Sequence, residues 1–470
     1  MIEMTLAEVA AATGGTLAGA DPATRVTGAV EYDSRKLGPG GLFAAFAGEH
    51  VDGHDFAGAA LAAGAVAVLG TRPLAGTPMV LVTDPLAALA GLARAVLDRL
   101  GELTVIGVTG SSGKTTTKDY LAQLAGGLGP TVAPAGSLNN ELGLPYTVLR
   151  AGPDTRFLVL EMAARGLEHI AYLCQVAPPR IGVVLNVGDA HLGEFGSVEA
   201  IAQAKRELVA ALPPDGLAVL NADDPRVAAM AGQTPARVVT VGEGTAAELR
   251  AVDITLDERG RPSYTLVTPE GKVPVQLAVT GAHQVGNTLA VAAVGRELGM
   301  SLAALAGALA TLRVASSRRM DVFDRPDGVT VIDDSYNANP SSTGAALRAL
   351  VAMGGGRVPG GGSARRTIAV LGYLAELGDH ERAGHERVGA LAAELGVDRL
   401  VVVGEPAEPI HHGASASRSW EGESVRVADQ DAAVAVLRRE LRPGDVVLVK
   451  GSRYRTWDVA DWLRDGVVAA

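Results

Sequence analysis

The stretch 104–124, TVIGVTGSSGKTTTKDYLAQL, constrains the chain more than any other. Its first five residues form a short β-branched run, which reads as a buried strand. Residues 109–115, Thr-Gly-Ser-Ser-Gly-Lys-Thr, form a glycine-containing turn. Leu121, Leu124 and Leu128 then recur at helical spacing, so a helix is expected to start near Thr115. A strand, a glycine turn and a helix N-terminus together make a phosphate cradle, because backbone N–H groups and the helix dipole face an anion. In such a cradle Lys114 reaches the β- and γ-phosphates and the Thr115 hydroxyl ligates Mg²⁺. The general phosphate-loop pattern has glycine five positions before Gly113; here that residue is Val108. Read blandly, the turn does no more than join strand to helix.

The 470 residues suggest about three domains. The balance of 41 basic against 52 acidic residues, net −11, argues against a nucleic-acid or anionic-membrane partner. One cysteine, Cys174, excludes an internal disulfide and fits a reducing compartment. The N-terminus has no basic segment ahead of an apolar one, and no apolar run is long enough to span a bilayer. A cytoplasmic protein without membrane insertion, acting as a monomer, is expected.

The fold class expected is α/β in three domains. Residues 1–100 mix strands (42–46, 65–69, 79–82) with a helix over 85–100, started by Asp84 before Pro85. Residues 101–313 alternate strand and helix, as in a parallel sheet. Strands at 157–160, 181–185 and 217–220 end in Glu161, Asn186 and Asn221, and polar residues at such ends face the ligand crevice. Residues 253–267 and 273–280 read as an antiparallel appendage, and 283–298 as a closing helix. Residues 314–470 form a third, Rossmann-like unit with strands at 329–332, 367–371, 400–403 and 446–449. The Gly/Pro-rich stretch 354–362 and the Ser/His/Gly-rich stretch 411–423 read as loops.

A phosphate loop needs a further acidic group for its cation, and Glu161 is the candidate. His191 alone is a weak signal. Lys205 lies in a helix over 198–212 among Arg206 and Glu207, where a solvated charged face is the plainer reading. The run 331–340, VIDDSYNANP, carries more polar capacity than helix capping requires. Arg318 and Arg319 precede it and Lys450-Gly451-Ser452-Arg453 follows a later strand, so a site collecting anions from two directions is plausible.

Together these residues resemble the Mur ligases, the ATP-dependent amide-forming enzymes of peptidoglycan synthesis, and most closely their D-alanyl-D-alanine-adding branch. TGSSGKT has the family's TGxxGKT form, which accounts for Val108. SLNNELGLPYTVL (137–149), NVGDAHLGEFGS (186–197), AKREL (204–208), GAHQVGNTLAVAAVG (281–295) and DDSYNANP (333–340) look like further family motifs, and 33–56 looks like the uridine-nucleotide-binding part. The resemblance implies a UDP-substrate domain (1–100), a central ATP-binding domain (101–313) and a C-terminal Rossmann-like domain (314–470). It implies that Gly110, Ser111, Ser112, Gly113, Lys114, Thr115 and Thr116 hold ATP, with Asn139 and Asn140 lining the nucleotide side. His283 and Asn287 would lie against adenine, and Arg319 and Asp334 would close on the nucleotide. Thr115, Glu161, His191 and a carbamylated Lys205 would hold Mg²⁺, two ions in all. Lys114, Glu161, His191 and Lys205 would carry the chemistry. Ser34 and Arg35 would meet the UDP moiety, and Tyr336, Asn337 and Asn339 the peptide substrates.

The activity implied is addition of D-alanyl-D-alanine to UDP-N-acetylmuramoyl-tripeptide through an acyl phosphate. Ala163 stands where the family usually has glycine and Tyr373 where it usually has an acidic residue. The segment 340–347 and the residues after Arg453 also depart from the pattern. These differences cluster around the incoming amine, so a paralogous ligase with another carboxylate and amine is the alternative. A regulator that has lost catalysis is the rival from another class.

Overall fold

The computed structural model describes residues 1–48, 50–188, 192–355 and 365–466. Among them the strands gather into three large sheets, of five, nine and six strands, and one two-stranded ladder. The protein is α/β throughout.

The first sheet runs Thr16–Ala18, Met79–Leu81, Ala65–Gly70, Gly41–Ala44, Val30–Glu31. The helix Pro85–Arg99 begins where the sequence indicates: Asp84 accepts from Leu86 N at 2.8 Å, and Pro85 occupies the first turn, where no N–H is missed. Leu89, Leu92, Ala93 and Val96 recur on its buried face. That face packs on the helices Leu6–Thr13 and Gly143–Val148, so the first sheet and one side of the central sheet share a continuous apolar core. Tyr146 Oη donates to Glu31 Oε2 at 2.9 Å across the same junction.

The central sheet runs Gly271–Gln276, Pro262–Thr268, Leu249–Leu256, Arg237–Gly242, Leu217–Asn221, Ile181–Val184, Thr104–Thr109, Phe157–Glu161, Thr131–Val132. Neighbours are parallel from Leu249–Leu256 to Thr131–Val132, and the other two strands form an antiparallel meander on the edge. Thr104–Thr109 lies between Phe157–Glu161 and Ile181–Val184, so the chain leaves it toward both sides of the sheet. A crevice opens at such a switch point, outside the strands' carboxyl ends. The helix Lys114–Gly126 packs on Gln284–Glu297, which is buried on nearly every side. The first helix stops at Gly126, so Leu128 lies beyond it.

The third sheet runs Asp321–Asp324, Thr330–Asp333, Val446–Lys450, Thr367–Leu371, Arg399–Val403, Glu423–Val427, parallel except for its first strand. One expectation is corrected here. Only 416–422 of the stretch 411–423 is a loop: Glu408–Ser415 is a helix, and Glu423 starts a strand. Gly413 in this stretch reflects helix crossing. A Cβ on Gly413 would fall 2.0 Å from Glu386 O, and one on Gly389 would fall 1.9 Å from Ile410 O. The helices Glu381–Glu394 and Glu408–Ser415 approach so closely that only glycine fits at the contact. Of the stretch 354–362, residues from 356 onward lie outside the described residues.

The connection into the third unit is clamped to the phosphate-loop helix. Arg313 N donates to Gln123 Oε1 at 3.0 Å, and Gln123 Nε2 donates to Arg313 O at 2.7 Å. Ser316 N donates to Asp119 Oδ2 at 2.8 Å. Asp119 is buried, and its other oxygen pairs with buried Lys118, which also donates to Pro134 O at 2.9 Å. A buried charge needs such partners to be tolerated.

Candidate active site

The phosphate loop is strapped to the end of the neighbouring strand. Ser111 N donates to Asn186 O at 3.0 Å, Ser112 N to Asn186 Oδ1 at 2.9 Å, and Gly188 N to Ser111 Oγ at 2.8 Å. Gly113 has left-handed backbone, φ +79°, and a Cβ there would fall 2.7 Å from Asn287 Oδ1. Glycine is therefore required for conformation and for space. Lys114 Nζ donates to Gly110 O at 2.8 Å, folding the side chain over the loop. Desolvation lowers its pKa; Glu161 and Glu376 act against that shift, and Arg319 adds to it.

Glu161 is buried at the carboxyl end of its strand. Its Oε1 accepts from Asn139 Nδ2 at 2.7 Å and Ser137 Oγ at 3.0 Å. Among the described residues its buried Oε2 meets no hydrogen-bond donor. Leaving a buried acceptor bare costs about 1–3 kcal/mol, and more for a charged one. A bare carboxylate oxygen beside a phosphate loop suits a hard divalent cation.

Lys205 is 4% exposed. Its charged neighbours in sequence do not make it a surface residue, because it shares the buried stripe Ile201, Ala204, Lys205, Leu208, Val209. Burial, followed by repulsion from Lys114, lowers its pKa to about 7. The expected metal ligand His191 lies outside the described residues. Among the described residues no three His, Cys, Asp or Glu side chains cluster as a metal site.

A cleft of about 410 Å³ opens over the loop. Of the residues singled out in the sequence it brings together Ser111 to Thr116, Asn139, Asn140, Glu161, Arg319, Tyr336, Asn337 and Asn339. Arg319 crosses from the third unit: its Nη2 donates to Thr115 Oγ1 at 3.3 Å, and its guanidinium stacks 4.2 Å from the Tyr336 ring centroid. Gly110 underlies the loop, and Asn287 lies behind it. His283 starts the helix Gln284–Glu297; burial lowers its pKa, opposed by nearby Asp334.

Asp334 does not line the cleft. Its Oδ2 is 2.5 Å from Lys450 Nζ and its Oδ1 accepts from Met320 N at 3.1 Å. Lys450, read in the sequence as an anion collector, is thus corrected to an internal partner. It is 2% exposed, and an ammonium so buried requires a carboxylate. Arg318 likewise turns away, to Asp461 at 3.0 Å. Ser34 and Arg35 lie in a short 3-10 turn away from the cleft. Arg35 hydrogen-bonds Asp33 and holds its pKa at about 2.

The sequence reading did not single out Ser137, which supports Glu161, or Ala375 and Glu376, which wall the cleft from the third unit. Their segment is held from behind by His385. Its Nε2 accepts from Leu374 N at 2.9 Å while Nδ1 faces Glu381 O at 2.7 Å, a neutral-ring arrangement. Burial lowers the His385 pKa below its usual 6.5. Between the folded and unfolded values the unfolded chain binds more protons, so this group's stabilisation falls as pH drops below about 6.5. Melting followed from pH 7.5 to 5 should therefore fall less steeply in His385→Gln than in the parent.

Three family profiles match the chain: "Mur ligase family, catalytic domain" over residues 27–96, "Mur ligase middle domain" over 108–295, and "Mur ligase, glutamate ligase domain" over 318–453. The UDP-N-acetylmuramoyl-tripeptide--D-alanyl-D-alanine ligase of Mycobacterium tuberculosis (strain ATCC 25618 / H37Rv) is 51% identical over 96% of both chains. The chain belongs to the Mur ligase family. The enzyme of the same name from Escherichia coli (strain K12) is 36% identical to this Mur ligase, again over 96% of both chains. Among solved structures, MurF from Acinetobacter baumannii superposes with a TM-score of 0.87 at 29% identity, covering 98% of this chain and 99% of that one. MurF ligase from Thermotoga maritima in complex with ADP gives 0.79 at 31% identity, covering 93% and 97%.

Proposed function

We propose that this Mur ligase adds D-alanyl-D-alanine to UDP-N-acetylmuramoyl-tripeptide in peptidoglycan synthesis, using ATP. One observation in the site carries the reading: a phosphate loop with its lysine faces a buried glutamate that has one oxygen bare among the described residues. The near full-length likeness to relatives bearing that enzyme name supports the choice of substrates.

A carboxylate does not react with an amine at neutral pH until it is activated. Its oxygen attacks the γ-phosphorus of ATP, the bond to ADP breaks, and an acyl phosphate forms. The amine then attacks the acyl carbon, phosphate leaves, and the nitrogen gives up its proton. Lys114 and the loop N–H groups stabilise charge on the transferring phosphoryl group. Thr115 and Glu161 would hold one Mg²⁺; His191 and carbamylated Lys205 would join Glu161 on a second. When bound, the cations neutralise phosphate charge. Ser137 and Asn139 hold Glu161 in orientation. Arg319, stacked on Tyr336, brings a third-unit cation to the nucleotide, while Asn337 and Asn339 offer amides to the peptide. Ser34 and Arg35 meet the UDP moiety, His283 and Asn287 the adenine side, and Asp334 fixes the segment that carries Arg319. The division into 1–100, 101–313 and 314–470 assigns UDP-substrate, ATP and amine to separate units of one cytoplasmic monomer.

Phosphate release with ATP, UDP-N-acetylmuramoyl-tripeptide and D-alanyl-D-alanine tests the assignment. Turnover that requires all three is expected; turnover with a different amine only would sink it. The Arg319–Thr115 contact makes the present arrangement a closed one. We infer that the ligand-free protein opens this contact in solution, so small-angle scattering should show compaction when nucleotide and both substrates are added. An unchanged radius of gyration would count against a closing third unit.

A further inference from the structure

We propose that Arg165 binds a free carboxylate of the tripeptide substrate, one that takes no part in the reaction. The inference rests on the ligase reading above and names a binding residue for it. Among the described residues the lysine and arginine side chains lining the cleft are Lys114, Arg165 and Arg319. Lys114 Nζ is turned onto Gly110 O, and Arg319 reaches Thr115 and the Tyr336 ring. Arg165 is exposed, and among the described residues its guanidinium meets no carboxylate and no hydrogen-bond acceptor.

The segment that carries it leaves the strand Phe157–Glu161 directly after Glu161 and is tied at both ends. Ala163 N donates to Asn139 O at 3.2 Å, beside that asparagine's own bond to Glu161. Arg165 N donates to His169 Nδ1 at 3.3 Å. Glu168 has left-handed backbone, φ +68°, and opens the helix His169–Val176 without a side-chain cap of its own. Glu207 supplies the cap from the helix Val198–Ala210: Oε1 accepts from Glu168 N at 2.7 Å and Oε2 from Ala171 N at 3.0 Å. A carboxylate there satisfies orphan N–H groups and complements the helix dipole. None of these bonds uses the Arg165 side chain, so the segment holds its place whichever side chain it bears.

Placement selects the ligand. The helix His169–Val176 packs on Pro85–Arg99 of the first unit, so Arg165 stands on the cleft wall nearest the unit assigned above to the UDP-substrate. Beyond desolvation, the charges that move the Lys114 pKa belong to Glu161, Arg319 and Glu376. Arg165 is not one of them, which sets it apart from the phosphate-transfer end of the cleft. A relative of solved structure from Acinetobacter baumannii is named for the peptide alanyl-D-glutamyl-2,6-diaminopimelate. In such a tripeptide a glutamyl residue linked through one carboxyl keeps the other, and a diaminopimelate reacting at one carboxyl keeps its second. A peptide laid from the first unit to the phosphate loop draws these spare carboxylates along the wall that carries Arg165. A guanidinium takes a carboxylate in two parallel N–H···O bonds. Without that cation the carboxylate would meet Glu141 and Glu161, which line the same wall and repel it.

The test compares the parent enzyme with Arg165→Gln and Arg165→Lys on a set of UDP-N-acetylmuramoyl-tripeptides. One carries glutamyl and diaminopimelate, one has the spare glutamyl carboxylate amidated, and one has lysine in place of diaminopimelate. For Arg165→Gln the KM for the first should rise roughly 10- to 100-fold. The kcat, the KM values for ATP and D-alanyl-D-alanine, and the melting temperature should hold, as for a contact made equally in ground and transition states. Arg165→Lys keeps the charge without the fork and should recover part of the loss. In the parent, the substrate lacking the bound carboxylate should lose the same factor, and Arg165→Gln should lose nothing further on it. Loss on the amidated form assigns the glutamyl carboxylate; loss on the lysine form assigns that of diaminopimelate. An unchanged tripeptide KM in active Arg165→Gln overturns the inference alone. So does a parent that treats all the tripeptides alike, since the anion is then the diphosphate or the reacting carboxylate. A parent preference that survives in Arg165→Gln, or a lowered melting temperature, also overturns it. A parent that turns over none of the tripeptides with D-alanyl-D-alanine overturns the ligase reading, and this inference with it.

Discussion

Replacing Lys114 with alanine is expected to lower ATP-dependent amide formation by about 10²–10³-fold, the usual cost of removing a preorganised charge from a transferring group. Stability should hardly respond. Among the described residues the ammonium makes one hydrogen bond, to Gly110 O, and its desolvation already disfavours the charged form. Losing both effects together nearly cancels, so the apo melting temperature should move by no more than a few degrees, ~1 kcal/mol. The measurement is phosphate release beside a thermal scan of the same preparations. Near-normal turnover would remove Lys114 from the chemistry. A collapsed melting temperature would make it a structural residue of the loop.

The second large effect concerns Lys205. Its pKa near 7 leaves much of the amine neutral at working pH, because the folded state cannot solvate the ammonium and Lys114 repels it. A neutral amine adds CO₂: the nitrogen bonds to carbon, a proton leaves, and a carbamate with two oxygens results. That anion suits a hard cation and relieves the repulsion from Lys114. Lys205→Ala and Lys205→Arg should both lose activity by about 10²-fold or more, arginine because it cannot leave its charged form. With ¹³CO₂ the parent should show a carbamate carbon signal that rises with pH through about 7 and is absent from both variants. Full activity in Lys205→Arg, or no labelled carbamate in the active parent, would refute the assignment.

These two lysines differ in how far local sequence reveals them. Lys114 sits between a β-branched strand and a helix start, so the whole cradle lies within a dozen residues. Glu161 is legible for a similar reason, as the polar end of an apolar strand. Lys205 is hidden by composition, since Lys-Arg-Glu reads as a solvated face. Yet the stripe Ile201, Ala204, Leu208, Val209 passes through position 205, and helical periodicity alone places it inside. The Asp334–Lys450 pair has no local signal, because 116 residues separate partners that meet only when two parallel strands align. Without that register Lys450 looks like a free cation. The helix Glu408–Ser415 is obscured by its glycine and histidines; Gly413 serves a close helix crossing rather than a loop. Glu376 is equally hidden: its carbonyl accepts from Gly193 N at 3.1 Å across the cleft, and no side-chain pattern records a backbone contact.

The clamp on the connecting segment bears on how this chain tolerates length changes. Asp119 and Gln123 grip Ser316 and Arg313 from the helix that begins at the phosphate loop. The anchor and the phosphate site are therefore carried by one helix, and only two residues of chain lie between the last anchor, Ser316, and Arg319. One added residue spans up to ~3.3–3.6 Å, as much as the whole length of the Arg319–Thr115 hydrogen bond. An insertion between Ser316 and Arg319 would displace the arginine by a full contact distance, whereas an equal insertion in the exposed turn after Asp257 would leave every cleft residue in place. Length in this segment is set as tightly as residue identity is in the loop it serves, so related chains should vary in sequence here before they vary in spacing.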